Sequence, residues 1–331
     1  MLKQRLEVRP RKRRQSNEER EGRKEEANVF TMGCCASSPG DDGEHLELTM
    51  SGELGEGDVV DAESEYMRLL RGRPAVPMIS PASVGVAQDM NEQYRPEMQD
   101  VILAEPAVGA SGARALCGVF DGHGGSRASV LAAEYVRNSV EAGLGTRDPK
   151  ELLEDAFVGS DAMFEAENVL YEGTTAMVVV LESLAETRLL HLASVGDSRA
   201  VLSVHGRALD LAPLHVPANE DEIARVQREG GFLARGKVNG MVAVTRSLGD
   251  MVMKAIITST PFTRTEFLTD ENEYLVIACD GVWDVLHPQV AIDTCIRTDS
   301  PQAAADAILK SALDLGSTDN LSVIVIHLQQ P

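Results

Sequence analysis

The chain has 331 residues, with 31 Lys and Arg against 52 Asp and Glu and a formal net charge of −21. Its hydrophobic fraction of 43% is that of an ordinary globular protein, and the length allows one large domain or two smaller ones with a sizeable core. So acidic a balance argues against a nucleic-acid-binding surface, which is basic, and suits a soluble protein or one that collects divalent cations.

The charge is uneven, because residues 1–26 carry ten Lys and Arg against six Glu. The run RPRKRR at 9–14 is open to reading as a nuclear import signal or a phosphate-binding patch, and a solvated tail is the reading favoured here. Residues 1–63 are polar, glycine-rich and without periodic apolar content, which predicts a mostly disordered N-terminal extension ahead of a folded domain at 64–331. Within the extension, MGCCASS at 32–38 fits an acylation pattern at Gly33, but only if translation starts at Met32; Cys34 and Cys35 would then offer second acylation sites and a stable anchor. In the chain as written Gly33 is internal. The expected localisation is therefore cytoplasmic, with the nucleus as an alternative, and membrane attachment is expected only from the Met32 start. The five cysteines show no metal-type pairing and no disulfide framework, which fits a reduced, intracellular protein. No run of 18 apolar residues marks a transmembrane helix.

In chain order, SEYMRLLRG (64–72) predicts a short helix and RPAVPMISPASVG (73–85) a loop. VILAE (101–105) and ALCGVF (115–120) read as strands joined by a glycine-containing turn at 109–113. Apolar residues at helical spacing predict helices over 126–143 and 151–169. Val- and Leu-rich strands follow at 174–183, 188–196 and 199–206, then a short helix at 220–231 with a glycine stop. A strand at 274–280, helices at 288–297 and 301–317 and a strand at 321–328 complete the pattern. Strands in runs and helices in pairs exclude regular βαβ alternation and predict an α+β fold with antiparallel sheets covered by helices.

Five acids sit beside small residues at the ends of strand-like runs: Asp121 (FDGHGG), Asp197 (VGDSRA), Asp250 (SLGDMV), Asp280 (CDGVWD) and Asp319 (STDNLS). Asp is the shortest carboxylate arm, hard divalent cations need several oxygens at close range, and glycine lets backbone carbonyls approach as well. Converging acids of this kind point to a two-metal hydrolytic site. Each Asp-Gly alone reads more simply as a hairpin turn; the set, with His123 inside one member, weakens that reading. His123 is a candidate general acid, or else a solvent-facing loop residue. Arg95, five positions before Asp100, is a candidate clamp for a phosphate ester, or else a surface residue.

From about 84 to 328 the chain resembles the metal-dependent protein phosphatases of type 2C. The resemblance rests on eight collinear segments: RPEMQD (95–100), GVFDGHGG (118–125), GTTAMVVVL (173–181), ASVGDSRAVL (193–202), EGGFL (229–233), VNGMVAVTRSLGD (238–250), VIACDGVWDVL (276–286) and STDNLSVIVI (317–326). It implies two packed antiparallel sheets, a central β-sandwich, with helix pairs on both outer faces. It also implies hydrolysis of phosphoserine and phosphothreonine by water activated between two Mg²⁺ or Mn²⁺ ions, with no phosphoenzyme. By position, Asp121 would bridge both ions and Gly122 would offer its carbonyl. Asp280 and Asp319 would hold the first ion, and Asp100 would support bound water. Arg95 would grip the phosphate, His123 would be the general acid, and Asp197 would serve a weaker third ion. The expected partners are phosphoprotein substrates, and the expected state is a monomer.

Three positions depart from that pattern. Gln99 stands where a Glu ligand of the second ion is usual, which predicts weaker binding of that ion and a need for Mn²⁺ or high Mg²⁺. Leu214-His215-Val216-Pro217 lacks an acid, which predicts a local structural change and little more. The segment 251–267, MVMKAIITSTPFTRTEF, matches poorly where substrate-proximal loops are expected. The alternative is a pseudophosphatase that uses the fold as a binding scaffold, with its second metal site weakened by Gln99; the retained acids, Arg95 and His123 favour catalysis. An acidic calcium-binding protein ranks last, since the chain lacks the D-x-[DN]-x-[DN]-G loop.

Overall fold

The computed structural model describes residues 83–109, 114–184 and 187–329. The N-terminal extension, the helix expected at 64–72 and most of the turn expected at 109–113 lie outside the described residues.

Ten strands build two large sheets: β1 (Val84–Asp89), β2 (Val101–Val108), β3 (Arg114–Phe120), β4 (Ala176–Leu184), β5 (Thr187–Val195), β6 (Arg199–Val204), β7 (Arg207–Asp210), β8 (Phe262–Leu268), β9 (Asn272–Ala278) and β10 (Leu321–His327). One sheet has the order β1-β10-β9-β6-β7 and the other β8-β5-β4-β3-β2. Every neighbouring pair is antiparallel. The helices are α1 (Arg127–Gly143), α2 (Pro149–Ala166), α3 (Glu220–Arg228), the single turn α4 (Asp280–Trp283), α5 (Pro288–Arg297) and α6 (Pro301–Asp314).

Strand β3 shows how the layers arise. All seven of its residues are buried, and the two-residue period of a strand divides them between faces. Ala115, Cys117 and Val119 join the core between the sheets, with Leu190, Leu192 and Val325. Leu116 and Phe120 join a second core, with Ala132, Val136 and Val140 of α1 and Leu153 and Phe157 of α2. The first core continues through its sheet to Ile292 of α5 and Ile308 of α6. The result is helix pair, sheet, sheet, helix pair, as expected from the resemblance.

Small residues at four-residue spacing (Ala128, Ala132, Val136, Val140) let α1 lie close on its sheet. Helix α2 starts where Asp148 accepts the Lys150 N–H, with Pro149 in the first turn. Three strands were not anticipated. β1 and β7 are short, and β8 (Phe262–Leu268) is a mostly half-buried edge strand whose polar residues gave no clean alternation. All of β8 but Leu268 lies inside the poorly matching segment 251–267, which therefore builds a sheet edge beside β5.

Candidate active site and metal centre

Asp121 follows β3, and its carbonyl accepts the Thr175 N–H at 2.8 Å. Asp280 follows β9 by one residue and opens α4, so its Asp-Gly begins a helix instead of closing a hairpin. Asp197 follows β5 across Gly196, and Asp100 and Asp319 lie just before β2 and β10. The sandwich thus delivers acids from distant parts of the chain to one place. Carboxylate oxygens of Asp121, Asp197 and Asp280 lie within 4.8 Å of one another, as do those of Asp100 and Asp121 with the Cys279 thiol.

The electrostatics show the cost of that convergence. Burial, and then Asp280, Asp100 and Asp197, hold the Asp121 carboxyl well above its usual range. Asp197 is pushed up to about 7 by burial first and Asp280 second. Burial lifts Asp100 to about 6 although the Ser322 hydroxyl donates to it at 2.8 Å. Asp280 is raised by burial and by Asp319. Among the described ion pairs, none neutralises these four acids; Arg95 pairs with Asp319. A set of short, mutually repelling carboxylates without a side-chain cation fits hard divalent ions that take oxygen ligands.

Asp121, Asp197 and Asp280 face a cavity of about 240 Å³ that is also lined by Arg95, Gln99, Gly122 and His123. At Gly122 a Cβ would run into the Gln99 carbonyl and stand 3.0 Å from the Ser129 hydroxyl. The bare backbone is therefore required by close packing beneath the site, whatever its carbonyl does above. The Gln99 side-chain amide donates to Glu97 at 2.6 Å, and its backbone is clamped by Asn320 and Ser129.

Two acids behave differently from the expected converging set. Asp319 lines the cavity but holds Arg95 and does not join the close carboxylate group. Asp250 is outside that group altogether: its Oδ2 lies 2.8 Å from His123 Nε2. Sequence reasoning also missed one wall. Lys237 and Met241–Val244 line the cavity, although substrate-proximal loops were expected at 251–267. The segment VNGMVAV was the available signal, and it had no role assigned. His215, in the departing Leu-His-Val-Pro segment, is buried; its N–H donates to the Gly196 carbonyl and its carbonyl accepts from Thr245. Burial, then Arg246, lowers its imidazole to about 4.

Comparison with known proteins decides the family. The profile described as protein phosphatase 2C matches residues 84–321. The chain belongs to the protein phosphatase 2C family. Protein phosphatase 2C homolog 1 of Saccharomyces cerevisiae is 34% identical over 272 residues, covering 77% of this chain and 97% of the yeast protein. The Schizosaccharomyces pombe protein of the same description is 33% identical over 256 residues, covering 74% and 72%. Among solved structures, a C. elegans sex determining protein superposes with a TM-score of 0.68 at 26% identity, covering 76% of this chain and 66% of that one. A serine-threonine phosphatase 2C from Toxoplasma gondii gives 0.65 at 20% identity, covering 78% and 98%, a likeness of fold. Members of this phosphatase 2C family depend on metal, and the acidic group described above is a cluster that could hold one.

Proposed function

We propose that this phosphatase 2C chain hydrolyses phosphoserine and phosphothreonine in proteins with the aid of two divalent ions, Mg²⁺ or Mn²⁺, and that no phosphoenzyme forms. The observation that carries the reading is the half-buried Asp121–Asp197–Asp280 group facing a cavity that also holds Arg95 and His123. When bound, the ions supply Lewis-acid charge and a water of lowered pKa. Asp121 and Asp280 would hold them, with the Gly122 carbonyl and Asp319 completing the ligand set. Asp100, buried, close to the Asp121 carboxylate and accepting from Ser322, would support bound water, and Asp197 would serve a weaker third ion. Arg95 is half-buried at the cavity and presents a guanidinium suited to two phosphoryl oxygens. His123, which lines the same cavity, would protonate the departing serine or threonine oxygen.

The test is turnover of a phosphothreonine peptide across Mn²⁺ and Mg²⁺ titrations. The chain has a single tryptophan, Trp283, in the same helical turn as Asp280; its fluorescence reports ion binding independently of activity. Expected is turnover that requires the ion and is abolished by chelator. Folded protein that binds the ion by fluorescence but turns nothing over would support the scaffold reading instead.

Gln99 sets the metal requirement in this proposal. Gln99→Glu adds a second carboxylate next to Glu97 at the cavity, and ligand charge tunes divalent affinity. The expected result is a midpoint for Mn²⁺ lowered by about tenfold, in activity and in Trp283 fluorescence together. An unchanged midpoint would remove Gln99 from the account of the second ion.

A further inference from the structure

The ring of His123 is held by a carboxylate that the metal group does not use. Residues 122–123, 173–174 and 248–249 form a small antiparallel sheet, in which Gly173 lies opposite both His123 and Gly249. The chain then turns sharply, with Gly249 at φ 77° and Asp250 at φ 51°. A non-glycine residue with positive φ is uncommon, and Asp is among the types that tolerate it. The Asp250 N–H donates to the Glu172 carbonyl at 2.9 Å, which fixes the turn. This bend carries the Asp250 side chain, only 4% exposed, over Gly173 and onto His123. Its Oδ2 lies 2.8 Å from His123 Nε2 and accepts from the Ser247 hydroxyl at 2.5 Å. A Cβ on Gly173 would collide with that Oδ2 and stand 2.6 Å from Nε2. The glycine leaves room for the contact, and the small sheet sets its register.

We propose that Asp250 is a positioning residue for proton delivery: it accepts the His123 Nε2–H, fixes the plane of the ring, and leaves Nδ1 as the nitrogen that serves the cavity. This rests on the phosphatase reading above. The His123 ring makes no other hydrogen bond among the described residues, so Nδ1 is free for that task. In the step, the water oxygen bonds to phosphorus as the ester P–O bond breaks. The Nδ1 proton passes to the ester oxygen, which departs as the serine or threonine hydroxyl. The N–H electron pair stays on the ring, Nε2–H stays on Asp250, and solvent returns a proton to Nδ1. Asp250 touches neither substrate nor ion.

The test compares two substrates in the metal-loaded protein. An alkyl leaving group needs the proton, and the nitrophenolate of p-nitrophenyl phosphate does not. Asp250→Asn suits the left-handed backbone. It is expected to lower kcat on a phosphothreonine peptide by about 10–100-fold with KM nearly unchanged, and to lower turnover of p-nitrophenyl phosphate at least tenfold less. Gly173→Ala should repeat that pattern with every carboxylate in place. In a His123→Ala background Asp250→Asn should cost nothing further. Independently of activity, the ¹⁵N imidazole spectrum of metal-free protein should show His123 as the Nε2–H tautomer, and Asp250→Asn should weaken that preference. Equal losses on both substrates, additivity with His123→Ala, or an Nδ1–H tautomer in the wild type would overturn the inference and leave the phosphatase reading standing. A wild type that turns over neither substrate would overturn both.

Discussion

Asp280→Asn is expected to lower metal-dependent turnover of a phosphothreonine peptide by about 10³-fold or more, comparable to removing an electrostatic centrepiece from other hydrolytic sites. Asp280 is the acid that most of the others feel: it raises both Asp121 and Asp197, and it is itself raised by burial and Asp319. The same substitution removes one repelled, half-buried charge. The metal-free variant should therefore melt no lower than metal-free wild type, while the gain in melting temperature on adding Mn²⁺ should largely vanish. Activity and thermal shift together separate loss of the metal centre from loss of fold. A variant that keeps its thermal response to Mn²⁺ and its turnover would remove Asp280 from the ligand set.

The second large effect is on stability. Asp100 and Asp197 have folded values of about 6 and 7 against an ordinary 3.8, raised chiefly by burial. Between those limits the native state holds protons that the unfolded chain gives up, so stability present below 3.8 is lost as pH rises through 6 to 7. Metal-free protein should thus melt lower at about pH 7.5 than at about pH 5, by about 5 °C or more. His215 opposes this in part, because burial and Arg246 lower its imidazole from 6.5 to about 4 and its contribution falls away below pH 6.5, but it is one group against the raised Asp100, Asp197, Asp121 and Asp280. Glu222 does not mask the trend. Despite its burial, Arg246, Thr245 and Arg225 lower its value to about 2, so its contribution is lost only in more acid solution. With millimolar Mn²⁺ the slope should flatten or reverse, because the ion binds the deprotonated carboxylates. Thermal scans at both pH values, with chelator and with Mn²⁺, check the point; identical slopes in the two would contradict it.

Much of this was legible in the residues. Apolar strands that end in short acids beside glycine marked Asp121 and Asp280, and helices in pairs marked the layers. Asp250 was legible only as another such acid. A metal ligand and a partner for an imidazole need the same short, buried carboxylate at a tight turn, so local sequence does not distinguish them. The difference lies in the pairing of 122–123, 173–174 and 248–249, a contact across 127 residues between His123 and Asp250. The cavity wall at 241–244 was hidden for a related reason. Met241 and Ala243 are exposed and Val242 is half-buried, without the periodicity that identifies an element. Strand β8 was missed because a sheet edge can carry Thr, Arg and Glu without penalty.

The closure of the site by β1 and β10 reaches into biosynthesis. The Asn320 amide donates to the Met90 and Glu97 carbonyls across 230 and 223 residues, and Asn91 donates to the Ser317 and Asp319 carbonyls. The two ends of the fold are thus stitched together at the rim of the metal group. Contacts so distant in sequence form late, after the loop-closure entropy of the intervening chain has been overcome. A nascent chain whose β10 is still inside the ribosome lacks Asp319 and the clamp on Gln99, however well the β2–β5 sheet and its helices have already formed. Catalytic competence in this protein therefore waits for β10 and the residues just before it, however early the other sheet forms.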